Sequence, residues 1–222
     1  MRRRLTEKKV KRATREAEAA SAGDTLTKMK ATRRWLVHRA KVPHYANGST
    51  RSATDTSEDQ AQLVSYDEAC DARDAGGYDG IGFALGPDGD GGHWQGIDLD
   101  DIKTNGLASI ANSLPGYVER SPSGNGAHAI GYGERFDTLG ANGSGIEAYA
   151  AGRYFTVTER AIRHAALIDL APIVRRELAA QHSNAACVQR GQEVTTTTTT
   201  TCVSRELVAD LRSALAHLLA DD

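Results

Sequence analysis

Three short stretches combine residue types and spacings that can do chemistry. In Ile97-Asp98-Leu99-Asp100-Asp101, side-chain alternation along an extended strand sends Asp98 and Asp100 to one face and points Ile97 and Leu99 into the core. Two carboxylates a few ångströms apart repel each other, and a divalent cation relieves that repulsion; hard oxygen ligands favour magnesium or manganese. The same D-x-D pattern also describes a solvated strand end or an acidic cluster at a helix start. In Ser121-Pro122-Ser123-Gly124-Asn125-Gly126-Ala127-His128, a Gly/Ser-rich turn exposes backbone N–H groups that can hold an anion. It feeds a strand carrying His128, which can donate a hydrogen bond to a phosphate oxygen. No Gly-Lys-Ser/Thr follows the glycines, so this is not a P-loop; an ordinary hairpin with a satisfied histidine is the competing reading. In Gly145-Ile146-Glu147-Ala148-Tyr149 and Gly152-Arg153-Tyr154-Phe155-Thr156-Val157-Thr158, Glu147 adds a third carboxylate and Arg153 a guanidinium that can fork onto phosphates. A structural hairpin with a surface ion pair explains the same residues.

Such groups need a sheet to hold them. Residues 35 to about 178 carry the apolar pattern of a mixed α and β domain. Helices are expected over 67–75, ending at Gly76-Gly77, near 104–113 and near 168–180. Strands are expected over 81–85, 94–100, 117–120, 127–132, 145–150 and 154–157. The runs 81–85 and 94–100 read as one β-hairpin around a Gly/Asp turn at 87–92, and a turn through Ala151 and Gly152 joins the last two strands. Strands gathered in the middle with helices at the ends make the class α+β, not a regular βαβ alternation.

The 222 residues are 40% hydrophobic and 25% charged, enough for one domain of about 120 to 150 residues with attachments. The formal charge of −2 conceals a division. Residues 1–34 hold twelve basic and four acidic residues, +8, while residues 35–222 hold fifteen and twenty-five, −10. Arg4, Lys8, Lys11, Arg12 and Arg15 recur at helical spacing, so an arm over 1–30 can present a basic stripe to a nucleic-acid backbone or stay a solvated extension. No run approaches the roughly 18 apolar residues of a membrane span, and Met1-Arg2-Arg3-Arg4 leads into no signal core, so a cytoplasmic location with no membrane partner is expected. Cys70, Cys187 and Cys202 are odd in number and form no C-x-x-C pair, which argues against a disulfide framework or a zinc ribbon. Asp88-Gly89-Asp90-Gly91-Gly92 lacks the later ligands of an EF-hand and reads as a turn. Seven consecutive threonines mark a linker over 183–203. Ser204 then opens an amphipathic helix over 204–222, with Leu207, Leu211, Leu215 and Leu218 on its apolar face.

A D-x-D strand, a small-x-His strand and a later acidic strand, in that order from Asp98 to Glu147, resemble the archaeo-eukaryotic primase superfamily. More narrowly, residues 35–158 resemble the primase-polymerase (prim-pol) domains of phage and plasmid replication proteins. The likeness also takes in Arg34-Trp35, Lys41-Val42-Pro43, Ser65-Tyr66-Asp67-Glu68-Ala69 and Tyr78-Asp79-Gly80-Ile81-Gly82-Phe83. It departs at Gly126, where many relatives carry serine, at Glu147, where many carry aspartate, and before Ser65, where a tryptophan often stands.

The resemblance implies an RRM-like catalytic core with flanking helices, over 31–182, that joins nucleoside triphosphates on a single-stranded DNA template. By that resemblance Asp98, Asp100, His128 and Glu147 are the catalytic set, and Asp98, Asp100 and Glu147 bind two Mg2+ or Mn2+ ions. His128 and Arg153, with Ser123, Gly124 and Gly126, bind the nucleotide. The acidic core then needs local basic residues such as Lys41, Arg120 and Arg135, together with the arm, to hold the template. Residues 211–222 resemble the opening of the small helical domain that follows such cores, so the chain reads as part of a larger primase-helicase, with a helicase domain or protein as partner. Two other classes fit the same acids: a catalytically silent prim-pol-fold DNA-binding or replication-initiation module, and a two-metal nuclease. Retention of all four of Asp98, Asp100, His128 and Glu147 favours the enzyme over the silent module.

Overall fold

A computed structural model describes residues 24–184; the basic stripe before Asp24, the threonine linker and the helix expected over 204–222 lie outside the described residues. The chain runs α1 (Thr25–Lys30), β1 (Trp35–Arg39), β2 (Val42–His44), α2 (Ser57–Gln62), α3 (Tyr66–Asp74), β3 (Gly80–Ala84), β4 (Gly86–Pro87) and β5 (His93–Leu99). It continues through α4 (Ala108–Ser113), β6 (Tyr117–Arg120), β7 (Ala127–Gly133), β8 (Ile146–Tyr149), β9 (Tyr154–Thr156), β10 (Ala161–Arg163) and α5 (Ala171–Ile173), which runs into a π-helical turn, Val174–Leu178. Local chemistry explains the helix ends. Ser65 and Glu68 form a reciprocal capping box at the start of α3, and the positive φ of Gly76 and Gly77 ends it. Pro172 sits in the first turn of α5, where a missing N–H costs nothing.

The strands form two antiparallel sheets, which places the domain in the α+β class. One has the order β2-β1-β3-β9; the other runs β10-β6-β7-β5, and the far side of β5 pairs with β4 at one end and β8 at the other. The expected hairpin of 81–85 with 94–100 does not form. β3 joins β1 and β9, while β5 belongs to the second sheet; only Gly86 and Pro87 pair back onto Trp94 and His93. Gly86, at φ +114°, redirects the chain from one sheet to the other. The strands on either side of Ala151 and Gly152 part in the same way, β8 pairing with β5 and β9 with β3. These two crossings lie side by side, Leu85 N donating to Arg153 O at 2.9 Å. Buried Arg34 gathers the carbonyls of Ala84, Leu85 and Pro87, and Asp55 accepts from Gly152 N.

The second sheet is buried on both faces. Ile97, Leu99, Val118, Ala127, Ala129, Ile146 and Ala148 face Leu107, Leu114 and the C-terminal helical residues Val174 and Leu178. On the opposite face Trp94, Tyr117, Ile130 and Tyr149 pack against Trp35, Val37, Ile81 and Phe83 of the first sheet. Phe83 and Trp94 meet edge to face with centroids 4.8 Å apart. A Cβ at Gly96 would lie 2.4 Å from the Phe155 ring, so glycine is what lets the sheets approach there.

Helix α1 packs onto the domain. Met29 is fully buried, its carbonyl accepts from Trp35 Nε1, and Thr25 Oγ1 donates to Ala165 O. The folded domain therefore includes residues 24–30, which the sequence pattern assigned to the arm. The helix expected near 104–113 starts only at Ala108, because 101–107 close as turns, with Asn105 N bonded to Asp101 O and Leu107 N to Ile102 O. Among the described residues no helix is long and apolar enough to cross a membrane.

Candidate active site

Strand register builds the site. Asp98 on β5 stands opposite His128 on β7 and, on its other side, opposite Glu147 on β8; His128 in turn stands opposite Glu119 on β6. Four consecutive strands thus present one row, Glu119, His128, Asp98 and Glu147. The next row on the same face is Tyr117, Ile130, Gly96 and Tyr149, part of the packing between the sheets. The polar row begins where that apolar packing stops, and a cleft of about 220 Å³ opens over it. Lys41, Asp98, Asp100, Ser123, Glu147 and Arg153 line this cleft, and so does His128. Asp100 lies just past β5, its N–H bonded to Gly145 O, which keeps it on the face that strand alternation assigned to it.

Asp98 carries the electrostatic burden of the row. Burial, helped by the like charges of Asp100 and Glu147, pushes its carboxyl up to about 6 although His128 pulls it down. Its Oδ1 is buried with no hydrogen-bond partner; His128 Nε2 lies 3.5 Å away, too far to satisfy it. Burial by itself lowers the pKa of His128, but the nearby carboxylates of Glu119 and Asp98 outweigh it and leave the imidazole above its ordinary value. Glu147 accepts from the Tyr149 hydroxyl, burial and this bond pushing Tyr149 up to about 12. Arg153 lies over the Tyr149 ring, 4.8 Å from its centroid, with NH2 3.4 Å from the hydroxyl.

An orphaned buried carboxylate oxygen beside two further carboxylates is a donor set that suits a hard divalent cation. The carboxylates do not yet converge: among the described residues no three acidic, histidine or cysteine side chains form a ready-made metal shell. Glu147 spends one oxygen on Tyr149 instead.

No family model matches the chain. It is similar to a DNA primase-polymerase of Nitratiruptor phage NrS-1, with 29% identity over 144 residues, covering 56% of this chain and 18% of the relative. The chain therefore spans less than a fifth of the length of the curated relative it matches. The match supports a relationship to primase-polymerases.

In the Ser121–Gly126 loop Gly124 N donates to Ser121 O, Asn125 N to Ser123 Oγ and Gly126 N to Ser121 Oγ, so these three amides close the loop's own turn. Gly124 and Gly126 are not among the cleft-lining residues; Ser123 is. Gly126 is needed for packing, since a Cβ there would lie 2.5 Å from Leu99 O and 2.9 Å from Ser121 Oγ. Of the basic residues expected to serve the template, Lys41 reaches the cleft, while Arg120 and Arg135 do not line it.

Sequence reasoning missed Glu119 and the Tyr149 bridge between Glu147 and Arg153. The signal for Glu119 was the alternation in Tyr117-Val118-Glu119, which puts it on the face of a large buried aromatic. A second cleft, about 550 Å³, adjoins the first through Pro122 and Thr156, with His38, Tyr66, Arg73 and Arg160 among its walls.

Proposed function

We propose that the chain is a nucleotidyltransferase of the primase-polymerase kind, joining nucleoside triphosphates on a single-stranded DNA template. The observation that carries this reading is the register row of Asp98, His128 and Glu147 at the mouth of a cleft that also holds Asp100 and Arg153. The similarity to the phage DNA primase-polymerase supports it. So does the strand order β6-β7-β5-β8 with α4 between β5 and β6, which is the order of an RRM-like sheet.

In this reading Asp98, Asp100 and Glu147 would hold Mg2+ or Mn2+. When bound, such an ion supplies Lewis-acid activation of the attacking hydroxyl and neutralises phosphate charge. His128 presents Nε2 beside Asp98, where it steadies the triphosphate. Arg153 and Lys41 add fixed positive charge to the cleft lining, and electrostatic stabilisation of a developing polyphosphate charge is strongest in such a partly enclosed site. The adjoining cleft, with Arg73 and Arg160, gives the template strand a place to lie. A helicase partner, read from residues 211–222 alone, belongs to this proposal too.

The test is synthesis by the purified chain with magnesium or manganese, single-stranded DNA and labelled nucleotides, run with NTPs and with dNTPs. Template-dependent oligonucleotides are expected, and Asp98→Ala or Asp100→Ala should abolish them. A folded wild type that neither makes product nor binds nucleotide with metal would overturn the proposal.

A further inference from the structure

Glu119 has no part in the chemistry above, yet it is 0% exposed and its contacts lead to the cleft. Its Oε2 accepts from the Tyr117 hydroxyl at 2.9 Å and from Glu159 N at 3.0 Å. Its Oε1 accepts from Thr158 N at 3.0 Å and lies 3.6 Å from His128 Nδ1. A carboxylate this deep is tolerated because donors surround it, and three of them lock it in place. The fourth neighbour, the histidine, stands at ion-pair distance and not at hydrogen-bond distance.

His128 Nδ1 also lies 3.2 Å from Thr156 O. Both oxygens facing Nδ1 are acceptors, so that nitrogen carries a hydrogen, and Nε2 faces Asp98 and the cleft, where its own N–H donates to a phosphate oxygen in the protonated ring. Phe155 packs against the same ring, centroids 4.9 Å apart, which limits its tilt without choosing which nitrogen points inward. The choice falls to Glu119 and the Thr156 carbonyl.

We infer that Glu119 is a positioning residue, whose carboxylate 3.6 Å from Nδ1, beside the Thr156 carbonyl, holds the Nδ1–H side of the His128 ring inward and so aims Nε2 into the cleft. This rests on the reading of His128 as the group that steadies the triphosphate. Partners that orient a functional histidine contribute through it, and their removal costs on the order of 10-fold or more.

Glu119→Gln keeps the shape and exchanges one acceptor for a donor. It is compared with His128→Ala and the double variant in primer extension, with thermal melts alongside. The single Glu119→Gln change is expected to lower kcat/KM for the nucleotide on the order of 10-fold, and the double variant to be no slower than His128→Ala. Losses that multiply in the double variant, or a Glu119→Gln protein as fast as wild type, would overturn the inference. Long-range 1H–15N spectra of the wild-type full chain test it without activity: His128 is expected to carry a hydrogen on Nδ1, and a ring protonated on Nε2 alone would overturn it. That spectrum can overturn the inference even if Glu119→Gln fails to fold. A wild type that makes no product but shows the Nδ1–H ring sinks the proposed function and leaves the positioning of His128 standing.

Discussion

His128 stands directly across the β5–β7 ladder from Asp98, with its Nε2 3.5 Å from a carboxylate oxygen that no hydrogen bond satisfies. The ordinary pKa of that carboxyl is 3.8, and burial with the charges of Asp100 and Glu147 raises it to about 6. The folded state therefore binds the proton more tightly than the unfolded chain does. This contribution to stability is complete below about pH 3.8 and is lost as the pH rises to about 6. Above that range the ionised carboxylate is a burden. Asp98→Asn is expected to stabilise the metal-free protein by about 1–3 kcal/mol at pH 7.5, to add little at pH 4, and to abolish nucleotide incorporation. Urea melts in EDTA at the two pH values check this; an equal gain at both would contradict it.

Arg153 is exposed, and its guanidinium lies over Tyr149 at the cleft wall. Arg153→Ala should leave the melting temperature within a few degrees of wild type and raise the KM for nucleoside triphosphate by on the order of 10-fold, the scale of one charge-assisted contact. Steady-state kinetics at fixed template read the change.

Arg51 and Asp59 form a two-pronged pair at 2.6 and 2.7 Å, both almost wholly buried, with the Tyr45 hydroxyl also bonded to Asp59. Arg51 NH1 reaches Arg153 O at 3.4 Å. Asp59→Ala leaves a buried guanidinium unpaired and should cost about 3–5 kcal/mol. Replacing both residues with apolar side chains of similar volume should cost less than that single change. Denaturant melts of the single and double variants separate the two outcomes.

Gly126→Ala places a Cβ against Leu99 O and Ser121 Oγ, one neighbour being backbone that cannot swing away. About 1–3 kcal/mol of destabilisation is expected, with a larger fall in activity than in stability because β5 carries Asp98 next to the displaced Leu99. Paired melting and extension assays measure both.

Residues 2–23 hold eight basic and three acidic side chains. Deleting them should weaken single-stranded DNA binding and flatten its dependence on salt, since fewer phosphates are neutralised. Deletion through residue 30 should also destabilise the domain, because it removes buried Met29. Fluorescence anisotropy at several salt concentrations, with a thermal melt, distinguishes the two effects.

Much of the cleft was legible because strand side chains have a period of two. Asp98 and Asp100 share a face for that reason alone, and β6 appears over 117–120 as expected. Partner strands were less legible. β3 and β9 are short and largely apolar, and such runs carry no mark of which sheet they join. The serine-glycine loop was less legible for another reason: composition cannot distinguish an amide offered to a ligand from one that closes its own turn, and the amides of Gly124 and Gly126 close the turn. Glu119 sat two residues before a segment singled out for chemistry, but only the pairing of β6 with β7 brings it beside His128.

The two crossings of the chain between the sheets have a consequence for how the cleft admits a ligand. Leu85 and Arg153 are hydrogen-bonded to each other, Arg34 holds the first crossing through three carbonyls, and Asp55 and Arg51 hold the second. Swinging one sheet from the other would break these bonds together and pull Trp94 away from Phe83. The walls are therefore set at a fixed width before anything enters, so discrimination by size falls to static fit, not to a jaw that closes.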